Sequence, residues 1–189
     1  MFRIHEPLEK EVEISGVVYP VNLAFDNVIK LLDLIKSPYH NDGEKIILGI
    51  YLLLGTELEL EPDQLVKVFD SLIKNFIHDS DGDEADVDLE GNPMPTVASA
   101  PSYDLSHDAS YIYTSFKQAY NITLFEVLGK LDWREFKILL RDLPDETKFK
   151  QVIDIRLRPY PKGKGNGEER KKLKELKKAF ALPSNTVDD

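Results

Sequence analysis

Asn121–Pro161, NITLFEVLGKLDWREFKILLRDLPDETKFKQVIDIRLRPYP, holds the only Trp of the chain and its densest set of helix-start signals. Thr123-Leu-Phe-Glu126 has the form of a capping box: the Thr oxygen can accept the N–H three residues on, and the Glu can reach back. Asp132-Trp-Arg-Glu135 repeats the arrangement, and Gly129 between the two suits a helix end, because glycine tolerates the left-handed conformation. Trp133, Phe136, Leu139, Leu140 and Leu143 then fall at helical spacing on one apolar face. Pro144 stops that helix, and Asp145 to Thr147 can open the next. Phe149, Val152, Ile153 and Leu157 carry the stripe on until Pro159 and Pro161 end it. The stretch predicts three short helices with abrupt turns and shows no reaction centre.

Upstream, Val12-Glu-Ile14 and Val17-Val18-Tyr19-Pro-Val21 flank Ser15-Gly16, the signal of a β-hairpin. Pro20 cannot donate to a ladder, so the second strand belongs at an edge. Phe25, Val28, Ile29, Leu31, Leu32 and Ile35 predict an amphipathic helix closed at Ser37-Pro38. Ile46–Leu54 is apolar almost all round, which predicts a buried helix capped by Gly55. Pro62 suits the first turn of a third helix, where Leu65, Val68, Phe69, Leu72, Ile73, Phe76 and Ile77 recur at helical spacing. Residues 1–78 thus read as a hairpin plus three helices.

Residues 79–102, DSDGDEADVDLEGNPMPTVASAPS, carry too little apolar surface to offset the entropy of ordering and read as a flexible acidic linker. Beyond it, Ala109, Ile112, Tyr113, Phe116, Ala119 and Tyr120 form a helical stripe within about Tyr103–Tyr120. The expected C-terminal domain is therefore helical and spans 103–161. Residues 162–189 read as a spacer, a basic amphipathic helix over Glu168–Phe180 with Leu173, Leu176 and Phe180 on its narrow apolar side, and a tail. The fold class is mainly α with a small N-terminal hairpin, in two small helical domains.

Charge divides as the chain does. Residues 57–108 hold fourteen Asp/Glu against two Lys, and residues 148–178 hold twelve Lys/Arg against four Asp/Glu. The net charge of −10 opposes bulk nucleic-acid binding by the whole chain. With no cysteine, disulfides, thiolate metal sites and a Cys nucleophile are excluded, and the composition fits a reducing cytoplasm. The longest apolar run, Ile46–Leu54, is about half of the roughly 20 residues a spanning helix needs, so a soluble chain without membrane contact is expected.

Candidate sites are few. Asp79-x-Asp81-x-Asp83 with Glu90 at the twelfth place matches the carboxylates of a calcium loop. The sixth place, which needs Gly, is Glu84, the eighth is Asp86, and Gly91-Asn-Pro-Met-Pro95 forbids the outgoing helix, so a solvated linker with weak divalent-ion binding at most is expected. His5, His40, His78 and His107 form no helical metal pair. Ser106-His107-Asp108 contains triad residue types side by side, but triads assemble from distant positions, and a helix start capped by Asp104 or Ser106 is the better reading. No phosphate-binding glycine motif is present. No catalytic residue, cofactor or metal is therefore expected. The basic helix around Arg170–Lys178 could dock a partner, fold back as a solvated face, or touch nucleic acid.

Tyr103-Asp104-Leu105, Tyr111-Ile-Tyr113, Phe116-Lys-Gln-Ala-Tyr120-Asn-Ile-Thr-Leu124, Leu131-Asp-Trp133-Arg-Glu-Phe136, Leu143-Pro144-Asp-Glu-Thr147 and Ile155-Arg156 together resemble the "gene product fifteen" family of tailed phages and prophages in Gram-positive bacteria. The similarity covers essentially the whole chain and is densest over 103–161. The resemblance implies a tail-gene product similar to the tail assembly chaperones. Such a protein coats the tape-measure protein, recruits major tail protein, and leaves before the virion matures. It works in the cytoplasm of the bacterial host without catalysis, and self-association is compatible with that role. On this reading Tyr113, Phe116, Tyr120, Trp133, Phe136, Leu173, Leu176 and Phe180 are the candidate partner-binding residues, although Tyr113, Trp133 and Phe136 each also fit a core position. The alternative is a nucleic-acid-associated phage factor acting through the basic C-terminal helix, and an enzyme ranks third.

Overall fold

The computed structural model describes residues 5–78, 102–163 and 165–183. The acidic segment 79–101, including the carboxylates spaced like a calcium loop, lies outside the described residues. Seven α-helices and one two-stranded antiparallel sheet make up the described regular structure, together with one π-helical and one 3-10 turn, so the chain is mainly α with an N-terminal hairpin. The described residues fall into two units. Residues 5–78 and 127–138 form the first, and residues 102–126 and 139–183 the second.

In the first unit, β1 (Glu11–Ile14) and β2 (Val17–Pro20) pair in the register Glu11–Pro20 to Ile14–Val17. Ser15 and Gly16 both adopt positive φ, 52° and 80°. Positive φ at both turn residues belongs to the two-residue type I′ turn, whose twist matches that of the strands. Three helices follow: α1 (Phe25–Lys36), α2 (Asp42–Leu54) and α3 (Pro62–Leu72). Asn41 and Glu44 close a reciprocal capping box on α2, and Gly55 ends it at φ 69°. α1 packs on α2 and α2 on α3. Gly49 permits the close approach, since a Cβ there would lie 2.5 Å from the Phe69 ring and 3.0 Å from Leu31. The apolar repeat beyond Leu72 continues in a π-helical turn, Ile73–Ile77, closed by the His78 N–H on the Ile73 carbonyl.

Residues 127–138 complete this unit. The Phe25 N–H donates to the Leu131 carbonyl and the Trp133 N–H to the Leu23 carbonyl, making an isolated antiparallel bridge of Ala24 with Asp132. This pairing, invisible to helical periodicity, is why residues 127–138 group with the N-terminal helices although their sequence neighbours at 103–161 read as one domain.

In the second unit, α4 (Ala109–Tyr120) packs on α6 (Lys148–Leu157), and α6 on α7 (Gly167–Ala179). α5 (Trp133–Arg141) ends within this unit. Asp104 accepts from the N–H groups of Ser106 and His107, so the Ser-His-Asp run is a capped turn into α4, as its local chemistry suggests. One expectation changes. The helix foreseen at Thr123–Glu126 is a 3-10 turn, Leu124–Val127, too short to reach a second α turn before Gly129 takes φ 68°. The basic helix expected over Glu168–Phe180 is α7, and it packs on α6.

Candidate interaction surfaces

The candidate anchors divide by burial. Trp133, Phe136, Phe116 and Leu173 are core residues, whereas Tyr113, Tyr120, Leu176 and Phe180 are half-buried. In the first unit the Phe25 and Phe136 rings stack at 4.9 Å and the Trp133 and Phe136 rings at 5.7 Å. The Trp133 indole N–H donates to the Ile77 carbonyl at 3.2 Å, and the Lys137 ammonium donates to the same oxygen at 3.1 Å. That carbonyl belongs to the π-helical turn, which thereby serves the aromatic stack. Both residues are buried within this stack, so their rings serve as core in this structure.

Beside the stack, Asp132 is held by Arg134 through Nε to Oδ1 at 2.9 Å and Nη2 to Oδ2 at 3.0 Å, with Lys10 at 3.3 Å. Its Oδ1 also accepts the Arg134 N–H at 3.0 Å, a cap on the first turn of α5. Burial pushes the Asp132 carboxyl up, but the Arg134 hydrogen bonds and the Arg134 and Lys10 charges outweigh it and hold it below the usual aspartate value. Arg134 Nη1 reaches the Glu9 carbonyl, which ties the segment before β1 to α5. The predicted Asp132–Glu135 box is thus a cap completed by Arg134, with Glu135 facing solvent.

The second unit has its own charged centre. Arg156 on α6 makes a bidentate pair with Asp108, at 2.6 and 2.8 Å, and Asp108 is fully buried. The same guanidinium donates to the Ser102 carbonyl at 3.1 Å and to the Phe180 carbonyl at 2.6 Å. Planar fork geometry lets one Arg satisfy all these acceptors at once. One residue therefore joins the entry to α4, the last turn of α6 and the end of α7. Phe180 further contacts Tyr111 edge-on and lies under the Lys148 ammonium at 4.7 Å. Lys177 caps the Arg156 carbonyl at 2.8 Å and stands over Tyr160. The outward side of α7 is basic, with Arg170, Lys171, Lys172, Lys174 and Lys178 exposed.

The apolar residues that do face solvent were not among the candidates. On α2, Ile47, Leu48 and Tyr51 are 49, 40 and 51% exposed and share one side by their spacing. The all-round apolarity of Ile46–Leu54 suggested complete burial, yet α1 and α3 cover only the side carrying Gly49, Ile50, Leu53 and Leu54. The signal was present: a helix that is apolar all round within so small a unit has more surface than two neighbours can cover. In the second unit Phe125, 72% exposed, leans on Tyr113 with ring centroids 5.2 Å apart.

Among the described residues no group of His and carboxylate side chains is arranged to hold a metal ion, and no helix is long and apolar enough to cross a membrane. No curated protein and no solved structure matches the chain. A family model described as "Bacteriophage Gp15 protein" matches residues 4–182, which takes in the hairpin, the outward α2 face, the Asp132–Arg134 centre and the Arg156 keystone. The chain belongs to the bacteriophage Gp15 protein family.

Proposed function

We propose that the protein is a non-enzymatic tail assembly chaperone-like factor. It binds the tape-measure protein and the major tail protein in the cytoplasm of the bacterial host, and it is absent from the mature virion. Two findings support this reading: membership of a bacteriophage family, and the outward apolar side of α2. The second carries it. Clustered exposed apolar residues mark protein interaction sites, and Tyr is among the residues enriched at binding hot spots. A long helical partner would lay its own apolar stripe along Ile47, Leu48 and Tyr51. Co-expression of the full chain with the tape-measure protein of the same phage tests the reading. Co-purification is expected, and its failure in both tagging orientations would sink it.

A second reading rests on the basic outer side of α7. Arg170, Lys174 and Lys178 recur at one-turn spacing, and such a stripe can follow a phosphate backbone. Because α7 is packed in place, charge reversal tests this better than deletion. DNA or RNA binding that falls steeply with salt and disappears in Lys171→Glu/Lys174→Glu/Lys178→Glu would favour it over the first reading.

A further inference from the structure

The β1–β2 hairpin and α3 leave between them a cleft of about 390 Å³, with Val12, Ile14, Leu60 and Val68 as its apolar lining. Directly paired residues of a ladder share a face, so Val17, opposite Ile14 and 51% exposed, extends that apolar wall outward. The surroundings are acidic. Glu13 contributes to the wall, exposed Glu59 and Glu61 flank Leu60, and Asp63 sits in the first turn of α3, against a single lining lysine, Lys67. An apolar floor with an acidic margin specifies its ligand: apolar side chains to enter, cationic ones to meet the rim.

We infer that this cleft binds a basic amphipathic helix of a partner protein, one carrying Leu-type residues on one side and Lys or Arg beside them. A second copy of the chain is the poorer occupant. Its own basic amphipathic helix, α7, already has Leu173 buried and Leu176 and Phe180 half-buried within its unit, so it offers charge without an apolar face. The inference stands apart from the α2 surface and from the identity of any phage partner.

The test uses the full chain and a fluorescein-labelled synthetic helix of Leu and Lys, about 14 residues and roughly 21 Å long. Two control peptides replace Lys by Glu or Leu by Gln, and binding is read by anisotropy at physiological salt. The Leu/Lys peptide should bind, and each control should bind at least about tenfold more weakly. Ser71→Trp, which fills the cleft from the exposed side of α3, and Glu59→Lys/Glu61→Lys should each weaken binding by a similar factor. Should Ser71→Trp not fold, Gln64→Trp blocks the same cleft from about two turns earlier. Unchanged binding after either filling substitution would overturn the inference, because the peptide would then be held by the net charge alone. A filling substitution that dissociates a self-associated wild type would overturn it in favour of a second copy.

Discussion

Two residues show how charge inside a small helical unit is used. Arg156 has its side chain 9% exposed and pairs with an Asp108 that is not exposed at all. Removing one partner of a buried pair leaves the other uncompensated, at a cost of about 3–5 kcal/mol, whereas replacing both by apolar groups is often neutral. Arg156→Met should therefore lower the melting temperature sharply, and Asp108→Leu/Arg156→Met should recover part of the loss. Thermal melts of the two variants check this, and a double variant less stable than the single would contradict it. Asp132 gives a pH signature. Its folded-state pKa lies below the unfolded value, so its stabilisation is present above the ordinary aspartate pKa of about 4 and disappears as pH falls through the folded value. Asp132→Asn should be less stable than wild type at neutral pH, with the gap closing below about pH 4 in denaturant titrations.

At the scale of elements, Gly49 decides how closely α2 can lie to its neighbours. Alanine would gain up to about 1 kcal/mol of helix propensity. Its Cβ would meet the Phe69 ring at 2.5 Å, however, and overpacking costs about 1–3 kcal/mol. Gly49→Ala should therefore destabilise, and Gly49→Val more so, as measured by urea unfolding. The elements were largely legible beforehand because each rests on local chemistry. Ser15-Gly16 needs only a primed turn, Pro62 only the first turn of a helix, and Gly55 only a left-handed cap. What escaped was set by long-range pairing. The bridge from Ala24 to Asp132, the Ile77 carbonyl under Trp133 and the grip of Arg156 on three segments leave no periodic trace in the sequence. The burial of Trp133, Phe136, Phe116 and Leu173 was hidden for a related reason. Aromatic residues at helical spacing look alike whether they line a core or a surface, and only the neighbours distinguish Trp133 from Tyr51.

Over the whole molecule, charge differs between the units. Among described residues the first holds fifteen Asp/Glu against nine Lys/Arg, and the second ten against thirteen. A protein so divided can address two kinds of partner surface, a cationic one through the first unit and an anionic one through α7, while apolar contact is offered by α2. This suits an assembly factor, for which steering and reversibility matter more than a deep permanent interface. The central claim is that the outward side of α2 holds the tape-measure protein. Its most direct test is the affinity of the purified full chain for that protein, by calorimetry, in wild type and in Ile47→Lys/Leu48→Glu/Tyr51→Asp. These side chains are exposed, so the variant should keep the wild-type melt to within a few degrees. The account predicts a loss of affinity of at least about a hundredfold, equivalent to roughly 2.7 kcal/mol. Wild-type affinity in the folded variant would contradict it.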